Sequence, residues 1–476
     1  MPAPLTRRQL LTRAGRLAGA AGAGALLHAG AAGAQGPAAT GPAAAPPPAP
    51  PAPPMLKAVS LIGDANPYDD TLGVRPYLLD GERPTDAISL WTFWPLLQPA
   101  APEPFTLAGA FRQLSDPGGP GAEAVALLDE QIARANADGR RVVLTVFQSF
   151  PEWSHPSTGP FDWSRDPLAG GRPYPGQGRR GLGAHVPDDP GEDGPWAWFV
   201  AWCCARWADT GGEPTPGAGL DGAAVGNPRG ARLDWLAPMN EPNLTWWPQR
   251  SERFPDGTLV SYVAQLMRTA AAVAARYRNG SALPQGPALL LPNLADVLDE
   301  DDDPARGTPW RTFATGLLEQ LAGWRPETPV GWAQHNYADV KHGVQRGGPG
   351  DGRWRAEEAV ELLRAAGWPD PAVWLTEGGY QFAVRPARGE RWLVAAGKTA
   401  DPAAADVFSE QVALLRANWE AMARLPVRMW TQYLVNDQLE RFQSSLRGPA
   451  RRRPDGSWQL NDPPYPAYAL WPQLGA

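Results

Sequence analysis

Cysteine is almost missing from this chain: its 476 residues hold two, and they are neighbours, Cys203 and Cys204. Adjacent residues on a helix point in different directions, so a disulfide between them would need strained geometry. Two thiols are also too few for a metal site, which leaves them as small core residues. Histidine is nearly as scarce, with five residues, and His155, His185 and His342 show no spacing that suggests a metal. A basic excess is lacking too. The net charge of −7 offers no surface for nucleic acid and favours solubility without naming a partner. Beyond the first 34 residues no apolar run is long enough to span a bilayer. No unit of roughly 20–50 residues repeats, which excludes a solenoid.

Tryptophan, by contrast, is abundant: 22 residues, more than Tyr or Phe taken separately. Indole rings are flat and amphipathic with a polar N–H, which suits stacking on sugars, although they also fill cores. A hydrophobic content of 43% is ordinary for a globular protein. The length admits roughly two to four average domains or one large barrel with insertions. At the N-terminus, Thr6-Arg7-Arg8-Gln9-Leu10-Leu11 resembles the twin-arginine export signal. An Ala/Gly/Leu-rich run follows, and Ala32-Gly33-Ala34 offers a small-residue cleavage site. A disordered Ala/Gly tail is the plain alternative. No cysteine closes the run, which argues against a lipoprotein anchor. The expected organisation is a signal peptide over 1–34, an extended Ala/Pro-rich linker over 35–55, and one folded domain over 56–476. The mature chain is expected to be soluble, monomeric, without stable membrane insertion, and secreted or periplasmic.

From Met55 onward, short apolar runs alternate with helical patterns, the signature of βα repeats around a parallel sheet. Strands are expected at 58–62, 87–91, 141–147, 233–239, 288–291, 330–335, 372–376 and 427–430, with helices over 122–137, 196–208, 258–277, 310–321, 355–366 and 408–425. Eight strands with helices between most pairs predict an α/β fold, a (β/α)8 TIM barrel, interrupted by long Gly/Pro-rich loops at 156–195 and 211–230. The acidic run 299–303 reads as a solvated loop, because the interleaved ligand pattern of a calcium loop is missing.

In such a barrel chemistry is done at the C-terminal mouth of the strands. Polar or aromatic residues follow nearly every expected strand: Asp64, Trp94, Gln148, Asn240 with Glu241, Asn293, His335 with Tyr337, Glu377, and Trp430 with Gln432. Asn240-Glu241-Pro242 could be a simple polar turn. Its weight comes from Glu377, a second carboxylate in the same register. A carboxyl pair is what glycosidic cleavage needs. One group arrives protonated to assist the leaving oxygen, and the other attacks or stabilises an oxocarbenium-like centre. Trp94, Trp153, Trp246 and Trp247 are candidate cleft walls, and Glu152 reads as a loop carboxylate.

These residues resemble the motifs of the clan A glycoside hydrolases, the retaining (β/α)8 enzymes that include families 1, 5 and 39, with families 5 and 39 the nearest. Asn240-Glu241-Pro242 matches that clan's strand-four acid/base motif, and Thr376-Glu377 its strand-seven nucleophile. His335-Asn336-Tyr337 resembles the strand-six motif of family 5, whose tyrosine touches the nucleophile. Trp430 matches the strand-eight tryptophan that floors the subsite of the attacked sugar. Gln148 stands where family 1 has a sugar-binding histidine. The ending Pro463-Pro464-Tyr465-Pro466-Ala467-Tyr468 resembles the start of the clan's last helix.

The resemblance implies an exported retaining β-glycoside hydrolase working without metal or cofactor on a carbohydrate substrate. It implies Glu241 as general acid/base and Glu377 as nucleophile. It implies Asn240, His335, Tyr337, Trp430, Gln148 and Trp94 as substrate contacts. Glu241 must then hold a proton near working pH while Glu377 stays ionised, for example by accepting a hydrogen bond from Tyr337. The rivals are a non-catalytic carbohydrate-binding barrel, which an intact glutamate pair disfavours, and a metal-dependent hydrolase, which the few histidines disfavour.

Overall fold

The computed structural model describes residues 54–61, 74–80, 83–147, 150–156, 186–210, 225–245, 247–278, 286–302, 306–346, 350–387, 390–395, 406–436, 444–447, 451–452, 458–459 and 464–475. The expected signal peptide, nearly all of the linker, and Asp64, Gln148, His185 and Trp246 lie outside them, as do most of the two long loops.

The strands follow in chain order: β1 (Leu56–Leu61), β2 (Ala87–Thr92), β3 (Arg141–Val146), β4 (Trp235–Ala237), β5 (Ala288–Leu294), β6 (Val330–His335), β7 (Val373–Glu377), β8 (Phe382–Ala387), β9 (Glu390–Ala395) and β10 (Val427–Tyr433). Eight of them close a barrel in the order β1-β10-β7-β6-β5-β4-β3-β2, all pairs parallel. Two more, β8 and β9, form an antiparallel hairpin between β7 and β10 in the chain, and the two-residue strands Arg451–Arg452 and Trp458–Gln459 pair antiparallel after β10. The sequence reading did not foresee that hairpin. It also drew β4 too long: Pro238 has no N–H to give a ladder, so the strand stops at Ala237.

Side chains alternate across each strand, and the two faces meet different layers. Ala58, Ala87, Val143, Trp235, Ala237, Leu290, Ala333 and Met429 pack together inside the barrel. Their neighbours Val59, Ile88, Val142, Leu144, Leu236, Leu289, Leu291, Trp332, Leu375 and Trp430 belong to the larger core between sheet and helices. That alternation decides which mouth residues face the site.

Among the helices, Pro195–Arg206 is buried on every side, as expected of a helix that is apolar all round. It carries Cys203 and Cys204, both buried and unbridged, with burial holding their thiols protonated. At its end Arg206 Nη2 donates to Asp129 Oδ2 at 2.6 Å, and Trp207 Nε1 donates to Asp129 Oδ1 at 2.8 Å. Removing one partner of a buried ion pair typically costs about 3–5 kcal/mol. This pair therefore fixes the helix against Ala122–Ala137. Near the start of β1 Lys57 is fully buried. Its Nζ donates to the carbonyls of Arg83, Trp471 and Leu474, tying the C-terminal turns to β1.

Candidate active site

Two glutamates reach the barrel mouth from β4 and β7. Beyond β4, Pro238-Met239-Asn240 carries the chain up to Glu241, which stands at φ 47; Asn293 on β5 stands at φ 61. Left-handed backbone is uncommon outside glycine, with Asn the more tolerant of the two. It costs on the order of 1–3 kcal/mol, and persists where the surroundings over-determine it. They do here. Glu241 N donates to Asn293 O at 2.9 Å, Asn293 Nδ2 donates to Asn240 Oδ1 at 2.6 Å, and Thr376 Oγ1 donates to Asn293 Oδ1. Asn240 is thereby fully buried behind Glu241, and its carbonyl accepts from Trp247 Nε1 at 2.9 Å.

His335, the last residue of β6, lies between the two carboxyl groups. Its Nδ1 is 3.2 Å from Glu241 Oε1 and its Nε2 is 3.2 Å from Glu377 Oε1. The imidazole is completely buried; the Glu241 side chain is 16% exposed and that of Glu377 only 6%. Both contacts are near in distance but not aligned as hydrogen bonds. Tyr337 OH donates to Glu377 Oε2 at 3.0 Å. The next residue after the nucleophile candidate must be glycine, because a Cβ at Gly378 would collide with the Asn336 amide.

Burial pushes the Glu377 carboxyl well above the usual carboxylate range. The charge of Glu241 pushes it the same way, and the Tyr337 hydrogen bond pulls it back. Burial and the Glu377 charge also raise the Tyr337 hydroxyl, which stays protonated and remains a donor. Among the described residues no three His, Cys, Asp or Glu side chains are grouped as a metal site requires.

The structure brings Asn240, Glu241, His335, Tyr337 and Glu377 together. The expected tryptophans are elsewhere. Trp430 follows the inward Met429 on β10, so it faces outward: it donates Nε1 to Asn418 Oδ1 at 2.7 Å, stacks on Trp471 and abuts Trp419. It is a wedge between barrel and helices, not a sugar floor. Trp94 is likewise core, stacked on Phe199 with its Nε1 bonded to Gln98 Oε1 at 2.8 Å. Trp247 is buried as the strut under Asn240 described above, and Trp153, half-buried, donates to Gln98 O. Glu152 is exposed on a short 3-10 turn, as a loop carboxylate would be.

The aromatics that do stand at the mouth are Trp91 on β2 and Tyr433 on β10. Their rings meet edge to face at 5.9 Å, and Tyr433 meets Tyr337 at 6.0 Å. Neither was picked from the sequence. Counting by twos from the small inward residues Ala87 and Met429 lands on Trp91 and Tyr433, so the signal was there once the inward face was known.

No family model matches the sequence, and no curated protein matches it. Solved structures do. A family 1 β-glucosidase from Thermotoga maritima is similar at 11% identity and a TM-score of 0.43, over 87% of this chain and 89% of that one. A GH1 β-glucosidase from Exiguobacterium antarcticum is similar at 13% identity and 0.41, over 85% and 84%. The GH5_18 enzyme from Streptomyces cattleya, solved with GlcNAc, is similar at 15% identity and 0.41, over 88% and 79%.

Proposed function

We propose that the protein hydrolyses β-glycosidic bonds by double displacement, with Glu241 as general acid/base and Glu377 as nucleophile. The observation that carries this reading is the imidazole of His335, held 3.2 Å from an oxygen of each carboxyl group. A single ring between them keeps the two acids close and makes their protonation interdependent.

Double displacement requires that Glu241 hold a proton while Glu377 is ionised. Burial, the largest cause of the Glu377 shift, still opposes its charge; a neutral Glu241 removes the Coulombic push, and the Tyr337 hydrogen bond favours the ionised form that the attack needs. In the first step Glu377 attacks the anomeric carbon while Glu241 gives its proton to the departing oxygen. In the second, ionised Glu241 takes a proton from water, which displaces Glu377. Trp91, Tyr433 and Tyr337 then form the aromatic side of the pocket for the attacked sugar.

The test is stereochemical. Hydrolysis of an aryl β-glycoside followed by proton NMR should give the β-hemiacetal first, with the α-anomer appearing only by mutarotation. Carboxyl groups about 5–5.5 Å apart do this, whereas separations of about 6.5–9.5 Å admit water and invert. An initial α-product would overturn the double displacement, and absence of turnover on a panel of β-glycosides would overturn the hydrolase reading.

Export is part of the same proposal, supported by Arg7 and Arg8 in their twin-arginine setting. Replacing both by Lys should strand the precursor in the cytoplasm, as read by cell fractionation; unchanged secretion would refute the signal.

A further inference from the structure

The last residues of β5 and the turn after it touch every arm of the site. Asn293 holds Asn240 and is held by Thr376. Ala295 and Asn243 exchange two hydrogen bonds, Asn243 Nδ2 to Ala295 O at 2.9 Å and Ala295 N to Asn243 Oδ1 at 3.0 Å, so the loop that bears Glu241 is pinned there. The next residue, Asp296, is fully buried. Its Oδ2 accepts from Ala338 N at 2.9 Å and from Asp339 N at 3.3 Å. Those amides belong to the first turn of the short helix Tyr337–His342. The residue that opens this helix is the one whose hydroxyl reaches Glu377.

We infer that Asp296 is a positioning residue for the proposed hydrolysis: by anchoring the start of the helix Tyr337–His342 it sets the Tyr337 hydroxyl against Glu377. The inference rests on the hydrolase reading for its catalytic meaning and on the hydrogen bonds for its mechanical meaning. A helix of six residues has little stability of its own, so its placement depends on such tertiary anchors. Asp339, on the helix itself, does the same one layer further out, accepting from Arg355 N at 2.7 Å and Ala356 N at 3.0 Å.

The charged and titratable groups facing Asp296 are Asp339 on that helix, Arg355 at the head of the next one, and His335 on β6. Burial lifts the Asp296 carboxyl to about 7, Asp339 adds to the rise, and Arg355 and His335 oppose it. Asp296 therefore gains its charge around neutral pH. A carboxylate accepts amide hydrogen bonds more strongly than a carboxylic acid does, so the anchor tightens as pH rises. The new charge lies within Coulombic reach of His335 and so opposes further negative charge at the mouth.

Two variants separate these effects. Asp296→Asn keeps an acceptor oxygen but never ionises; Asp296→Ala keeps neither. Amide hydrogen exchange at Ala338 and Asp339 should quicken about tenfold or more in Asp296→Ala, the equivalent of one lost hydrogen bond, and stay near native in Asp296→Asn. On an aryl β-glycoside, Asp296→Ala should lose about tenfold or more in kcat with KM little changed, because the Tyr337 contact serves the chemical step. Asp296→Asn should match the native chain at pH 5, where Asp296 is uncharged, and its alkaline limb of kcat/KM should move to lower pH. Unchanged exchange in Asp296→Ala, quickened exchange with unchanged kcat, or an unmoved limb in Asp296→Asn would each overturn the inference. If the native chain cleaves no β-glycoside, it is the hydrolase reading that fails, and the exchange measurement alone then decides whether Asp296 positions Tyr337.

Discussion

Glu377→Ala is expected to abolish turnover of every β-glycoside, by roughly 10⁴-fold or more, because no other group can form the glycosyl-enzyme bond. In the proposed mechanism the remaining carboxylate, Glu241, serves the leaving oxygen instead. The methyl side chain opens space next to the Tyr337 hydroxyl and His335 Nε2, the two groups now left facing Glu377. Added azide fits such a space. It should attack from the vacated face and turn a β-glycoside with a good leaving group into the α-glycosyl azide. Product configuration by NMR is the measurement, and a β-azide from this variant would reverse the two roles. Full activity in Glu377→Ala would remove Glu377 as the nucleophile.

Glu241→Ala should separate substrates by leaving group. General acid–base assistance is typically worth about 10²–10⁴ in rate, so natural glycosides with alkoxide leaving groups should lose about that factor. An aryl glycoside whose phenolate departs unprotonated still forms the intermediate. That intermediate then waits for water without a base, which should appear as a burst followed by slow turnover. Azide needs no deprotonation and should release the intermediate as the β-azide. The pH dependence of formation should flatten too, since the group that gives the proton is gone. Equal loss on both substrate types would mean that Glu241 is not the proton donor.

The sequence showed the two glutamates for a simple reason. Each ends or follows an apolar run in a chain that alternates strand and helix, so both had to surface at one end of the barrel. His335 and Tyr337 were visible for the same reason, and so were the buried thiols of the Pro195–Arg206 helix. The tryptophans were not. Trp430 and Trp94 are close along the chain to site residues, but sequence proximity does not say which side of a strand faces in. A shift of one residue sends a side chain from the mouth to the helix layer, which is where Trp430 went, while Trp94 lies past the end of β2 in the short helix Trp94–Leu97. Trp91 and Tyr433 were hidden by the same ambiguity.

By itself, then, the sequence determined the barrel, the number of its strands and the carboxylates at their ends, because hydrophobic periodicity is a local property that the chain carries everywhere. Only the tertiary structure decided the rest. The imidazole between two carboxyl groups, the left-handed backbone at Glu241 and Asn293, the outward turn of Trp430, and the anchoring of Tyr337 by Asp296 all depend on contacts between segments tens of residues apart. Their energies come from closing the barrel and burying those groups together, a non-local event that no stretch of the chain specifies alone.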